Sequence, residues 1–334
     1  MSAASGTFGE TRTSPADTAV RFVRDNAWTV GLLVLLGLLL LFTTTIQPNF
    51  GPPGIQSIAI AVLPLALATV GQAIVVISGG IDLSLGSIIA FTSVVAASLM
   101  KAYPELSIPI VILVLLLGVL VGAINGGLAV VTRVPDIVVT LAMSFVWAGA
   151  ALLVLKTPGG AAADWLKQLL QGYVLTEWVP KAAVLLVVIV AVIWIPLRRS
   201  RLGLSFYAIG SNQLAAFRSG VSVGRTKIAS YAVMGLFAAL AGLSITANTG
   251  IGSPVVGQYT LQSVAAIVLG GVSLAGGRGG VFGPIVAVII LQLIRTDMAF
   301  LNVNSNLATV ANGAILIGVV MLGSLIQIRR ERAR

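Results

Sequence analysis

Gly79-Gly80-Ile81-Asp82-Leu83-Ser84-Leu85-Gly86 is the stretch that decides how this chain folds. Asp82 is the one charged side chain between Asp25 and Lys101, and it sits between apolar runs at Ile58–Ile77 and Ser87–Met100. A carboxylate at the centre of a bilayer costs about 2.5–3.5 kcal/mol on insertion scales, so it needs a reason to be there. Glycines on both sides free the backbone to leave helical geometry. A broken helix carrying an acid is how membrane transporters often build a functional point. The segment therefore reads as a break between two membrane spans.

The whole composition agrees. The 334 residues are 57% hydrophobic and 9% charged, where soluble domains carry about 25% charge. At about 20 residues per span, around ten helices fit, forming one membrane domain. Cysteine and histidine are both absent, which excludes disulfides, thiol catalysis and zinc sites built on those ligands. The lack of histidine also weakens proton-coupled mechanisms. A net charge of +10 raises nucleic acid as a partner, but the basic residues lie in loops between apolar runs and read as topology signals.

Apolar runs predict spans near residues 28–46, 56–78, 86–101, 107–131, 136–156, 182–197, 228–248, 263–275, 281–296 and 306–326. The eighth is short and ends in a second glycine-rich segment, Gly270-Gly271-Val272-Ser273-Leu274-Ala275-Gly276-Gly277, which reads as a half-helix or re-entrant piece. With the N-terminus inside, fifteen of the twenty Lys and Arg residues fall on one side. Only Lys101, Lys156, Lys167, Lys181 and Arg295 fall on the other. The expectation is an all-α membrane protein of about ten transmembrane helices with glycine-rich breaks, both termini cytoplasmic. Residues 1–25 form a poorly ordered cytoplasmic tail, 26–328 the permease domain, and 329–334 a basic tail. The first run, Ala27–Ile46, is long enough to remain as an anchor rather than a cleaved signal.

Two loops carry structure of their own. The external loop of about 157–180 has a candidate interfacial helix at Ala162–Gln171. In the internal loop 198–227, Ser211 or Asn212 caps a short helix over Gln213–Ser219, and Gly220 suits its C′ position. Leu214, Phe217 and Val221 give that helix one apolar face. About two turns of helix are not stable alone, so it needs a surface to dock on. A short echo, Ala73–Leu83 against Ala266–Leu274, hints at duplication.

These residues resemble a known family. Gly80-Ile81-Asp82-Leu83-Ser84-Leu85-Gly86 is similar to the GIDLSVG signature of inner-membrane permeases of ribose/xylose-type ABC sugar importers. Ala208–Val223 resembles that family's cytoplasmic AIGxNxxAAxxSGIxV loop, and Val268–Gly279 its IGGxSLxGGxG segment. Asp136 and Gly280 depart from the family pattern. The resemblance implies a bacterial inner-membrane permease subunit that is not an enzyme, and no G-x-x-x-x-G-K-[ST] phosphate loop is present. ATP and Mg would sit on separate ABC ATPase subunits. A periplasmic sugar-binding protein would deliver the solute, and a second permease copy would complete a homodimer or heterodimer in the lipid. The cargo implied is a pentose or hexose; alternatives are a branched-chain amino acid or signalling furanose, or a self-contained secondary transporter.

Candidate sites follow from both lines. Gly79, Gly80, Asp82, Ser84, Gly86, Gly270, Gly271, Gly276 and Gly277 form helix breaks or gates. For Asp82, a gate and a plain cap on the following helix both stay open, as does a partnership with Arg133 or Arg278. Asn212, Leu214, Ala215, Ala216, Phe217, Arg218, Ser219 and Gly220 form the candidate ATPase-coupling helix. Gln72, Ser78, Asn125, Thr140, Trp147 and Asn248 are the candidate substrate path, against the plainer reading of interhelical hydrogen bonds, which also covers Ser144. Gly118-x-x-x-Gly122-x-x-x-Gly126 marks a close-packing face, within one subunit rather than at a dimer seam.

Overall fold

In hydrocarbon every backbone N–H and C=O must be paired within the protein, so long apolar runs become helices. The computed structural model describes residues 27–304 and seven helical positions beyond them, between 307 and 321. The tails at 1–25 and 329–334, and most of the tenth expected span, lie outside the described residues.

The long helices are α1 (Ala27–Ile46), α2 (Pro52–Ile77), α3 (Leu85–Ala102), α4 (Ser107–Thr132) and α5 (Asp136–Val154). After a long loop they continue with α7 (Lys181–Arg199), α10 (Val223–Thr249) and α12 (Phe282–Phe300). Among the described residues these eight are long and apolar enough to cross a membrane. The short apolar helix α11 (Tyr259–Leu269) has 11 residues, about 16 Å of rise and about half a hydrocarbon core.

Helices α2 and α10 form the centre. Every residue of α2 from Val62 to Ile77 is buried, and α10 packs on α2, α3 and α4. The glycine row of α4 makes the closest of these contacts: Gly118 meets the Gly235 carbonyl, Gly122 the Tyr231 carbonyl and Gly126 the Tyr231 side chain. A Cβ at Gly122 would occupy the space of that carbonyl, so the row packs within the chain. Large apolar side chains such as Phe145, Val187 and Leu116 are exposed on the outward faces of α5, α7 and α4, as a lipid-facing surface requires.

The loop between α5 and α7 holds helix α6 (Asp164–Leu170), within the interfacial stretch expected at Ala162–Gln171, and it buries Leu166 and Leu170. A two-stranded ribbon follows, β1 (Tyr173–Val174) with β2 (Thr176–Pro180). The loop ties down the ends of α3 and α10: Ala161 N–H donates to the Ala97 carbonyl and Ala162 N–H to the Gly250 carbonyl, both at 2.9 Å.

The connection between α7 and α10, at residues 198–227, differs from expectation. Besides α9 (Gln213–Arg218), it contains α8 (Arg201–Ser211), capped by the Ser200 hydroxyl accepting from Gly203 N–H at 3.1 Å. Helix α10 also begins at Val223, five residues before the predicted 228.

Candidate functional site

The segment between α2 and α3 is a loop held by hydrogen bonds at most of its polar groups, the second Asp82 carboxylate oxygen being buried without one. Gly79 turns the chain at φ +85°, a conformation glycine adopts without strain. One Asp82 carboxylate oxygen accepts from both the backbone N–H and the hydroxyl of Ser84, each at 2.6 Å. Asp82 thereby holds the turn that leads into α3. The Ser84 hydroxyl accepts from the Asn125 amide at 2.7 Å, and Asn125 accepts the Trp147 indole N–H at 3.0 Å. Trp147 stacks on Phe91 with ring centroids 5.7 Å apart. Leu83 N–H donates to the Thr140 hydroxyl at 3.0 Å, and Gly86 N–H to the Thr260 hydroxyl at 2.9 Å. On the α2 side, Ser78 donates to Ser230 at 2.9 Å. Helices α4, α5, α10 and α11 thus each fix one point of the loop.

The carboxylate is fully buried, yet neither Arg133 nor Arg278 pairs with it. The basic partner in this region is Lys227, and it pairs with Asp136 at 2.6 Å, both side chains nearly enclosed at 17% and 10% exposure. That ion pair joins the first turns of α5 and α10 against the loop. A Cβ at Gly80 would stand 2.7 Å from the Asp136 carboxylate and 2.9 Å from the Tyr231 hydroxyl.

The second glycine-rich segment comes to the same place. The Ile77 carbonyl, left free where α2 ends, accepts Gly277 N–H at 2.9 Å. Gly210 of α8 packs against that carbonyl and against Gly277 N. A Cβ at Gly276 would meet Gly79 Cα at 3.0 Å and Gly210 Cα at 3.1 Å. The Tyr207 hydroxyl of α8 donates to the Gly279 carbonyl at 2.9 Å. Gly270 packs on Gly283 and Pro284 at the head of α12, while Trp28 of α1 donates to the Leu269 carbonyl at 2.8 Å. The two glycine segments and α8, far apart in sequence, meet backbone to backbone.

One residue beyond α8 the chain starts α9. The Asn212 side chain accepts from Ala215 N–H at 2.9 Å, the expected cap, while Ser211 contributes none. At the other end Val221 N–H reaches the Ala216 carbonyl and Gly220 N–H the Phe217 carbonyl, with Gly220 at φ +85°. That double bond is the glycine-terminated helix stop. Ala216 is buried against the body of the protein, whereas Leu214 and Phe217 are 59% and 67% exposed. A well-capped two-turn helix thus presents two large apolar side chains to whatever lies outside.

The candidate path residues divide. Ser78, Asn125, Thr140 and Trp147 are interhelical partners of the loop. Ser144 bonds back to its own helix at Leu141, and Asn248 is exposed at the far end of α10. Gln72 is fully buried, with neither amide atom hydrogen-bonded. Sequence reasoning missed Lys227, Tyr231, Ser230 and Thr260. Asp136 stood out only as a departure from a pattern; its polarity at a span's first residue was the available signal.

Fold and site together define a multi-pass helical membrane component, a bundle with a glycine-rich junction at one end. The chain belongs to the family described as "Branched-chain amino acid transport system / permease component", whose model matches residues 54–325. It is 30% identical to the ribose import permease protein of Haemophilus influenzae over 309 residues, covering 90% of this chain and 93% of that one. The ribose import permease protein of Bacillus subtilis is 32% identical over 304 residues, covering 88% and 92%. The autoinducer 2 import system permease protein of Escherichia coli strain HS is 27% identical over 323 residues, covering 92% and 94%. No solved structure matches the chain.

Proposed function

We propose that this protein is the membrane subunit of an ATP-driven, binding-protein-dependent importer of a simple sugar, a pentose or hexose. The observation that carries the reading is the junction of Gly79, Gly210, Gly276 and Gly277, with Gly210 three residues before a capped helix with exposed apolar anchors. In this reading α9 seats in a groove on a separate ATPase, with Leu214 and Phe217 as anchors. Closure of the ATPase pair pulls α9, and α8 passes the movement to both glycine breaks. Backbone packed on backbone leaves little slack, so a shift at Gly210 displaces Gly79 and Gly276 together. The loop around Asp82 then works as a hinge whose Asp82–Ser84 turn keeps the entry to α3 fixed.

The end bearing Lys227 and the basic internal loop faces the cytoplasm, with both chain termini on that side. A periplasmic binding protein delivers the solute to the opposite end, and a second permease, identical or similar, completes the assembly. The sugar assignment draws on the ribose permeases among the relatives. The autoinducer relative favours a furanose-like signal as the second reading, and a ligand screen on the cognate binding protein separates the two. The import reading is tested in proteoliposomes holding the permease and its ATPase. Sugar-loaded binding protein should raise ATP hydrolysis, and hydrolysis indifferent to it would count against the reading.

A further inference from the structure

Away from the junction, Leu65 of α2, Gln258 just before α11, Gln262 and Ala265 of α11, Gln292 and Arg295 of α12, and Gly313 beyond it are among the residues lining a recess. Its position follows from helix rise. Arg295 stands eleven residues beyond Pro284, which packs at the junction end, so it lies about 16 Å along the axis from there. Helix α12 ends at Phe300, five residues further on, so Arg295 lies about 8 Å from the end of the helix away from the junction. None of the three amide side chains or the guanidinium makes a hydrogen bond or ion pair among the described residues.

The recess does not end in apolar packing. Leu65, Thr69 and Gln72 follow one another at i, i+4 and i+7 on a single face of α2. The Thr69 hydroxyl and both atoms of the Gln72 amide are buried on that face with no hydrogen-bond partner. Buried polar groups are almost always paired in folded proteins, so a row of unpaired ones calls for a reason. Thr69 and Gln72 thus continue the face of α2 that Leu65 turns to the recess, in the direction of Ile77 and the junction.

The lining sets the chemistry. An amide offers a donor and an acceptor, which matches a hydroxyl that both donates and accepts; a guanidinium adds donors for further oxygens. None of the described residues lining the recess is a carboxylate, so an ammonium group would find no counter-charge among them. Leu65 and Ala265 supply the apolar faces that C–H groups require. We propose that Gln258, Gln262, Gln292 and Arg295 form a subsite for a neutral polyhydroxylated solute, which Thr69 and Gln72 continue toward the junction. This rests on the import reading above.

The absence of cysteine makes a direct test available. A Gln262→Cys variant, assembled with its ATPase in nanodiscs, carries one thiol in this chain, and its modification by a small cationic thiol reagent can be followed. D-ribose, D-xylose and D-glucose are offered in turn at millimolar concentration, with L-leucine as the zwitterionic comparison. The sugar that the wild-type complex takes up should slow modification about tenfold near saturation, and L-leucine should not. Adding Gln292→Leu should remove the protection. Full reactivity in the presence of a transported sugar, or a thiol that fails to react at all, overturns the subsite and leaves the import reading intact. A wild-type complex that takes up none of these sugars with ATP and the binding protein present overturns the import reading, and the subsite with it.

Discussion

Replacing Phe217 by alanine removes the larger of the two apolar anchors on α9 without touching the core. The ring is 67% exposed in the isolated chain, so its truncation leaves intramolecular packing nearly unchanged. Full burial of a phenylalanine stabilises by about 1.5–3 kcal/mol, and covering the exposed two thirds on the ATPase contributes about 2 kcal/mol at the upper end. Each 1.4 kcal/mol is a factor of ten, so the ATPase should bind Phe217→Ala about 30-fold more weakly. The caps at Asn212 and Gly220 do not involve this ring, and α9 should stay formed. Titrating labelled ATPase onto nanodisc-embedded permease measures the affinity, and thermal unfolding of the permease alone checks the fold. Phe217→Asp should abolish copurification altogether, because it places a charge in an apolar groove. Affinity within twofold of wild type for Phe217→Ala would refute the placement of the ATPase on α9.

Lys227→Met strands the nearly enclosed Asp136 carboxylate and should cost about 3 kcal/mol of stability, the low end for breaking a buried pair; Lys227→Met with Asp136→Asn should recover most of it, as read by thermal melting. Asn125→Leu deletes the bridge between Ser84 and Trp147, leaving buried donors and acceptors unpaired at about 1–3 kcal/mol each. That variant should melt earlier and lose coupling between ATP hydrolysis and uptake. Gly210→Val drives a side chain into the Ile77 carbonyl and the Gly277 amide, so uptake should fall at least tenfold while the ATPase still copurifies; normal uptake would show that the junction tolerates separation.

Much of this architecture is legible in the sequence because the dominant force is local. Apolar runs such as Pro52–Ile77 and Ser107–Thr132 announce themselves by length, since lipid requires each span to satisfy its own backbone. The cap and stop of α9 are equally local, set by Asn212 and Gly220. Helix α8 was missed because its glycines and polar residues lower the apolar signal, and its stability comes from packing Phe206 and Ile209 into the body. The surroundings of Asp82 were illegible for a different reason. Its environment is built by Asn125, Thr140 and Thr260, whose proximity depends on how four helices stack. A basic partner was the natural electrostatic expectation, but Lys227 is held by Asp136, 91 residues away in sequence (227 minus 136), and the Asp82 carboxylate is met by Ser84. The conspicuous acid therefore organises a turn through one carboxylate oxygen, while its other oxygen, like Thr69 and Gln72 on α2, is buried without a hydrogen-bond partner among the described residues.

The most direct test of the central claim is sugar accumulation in proteoliposomes containing the permease, with the binding protein outside and ATP on the side of α9. The account predicts uptake only when the ATPase subunit is present and hydrolysing ATP. Equal uptake by liposomes that lack the ATPase, or uptake driven by an ion gradient alone, would contradict it.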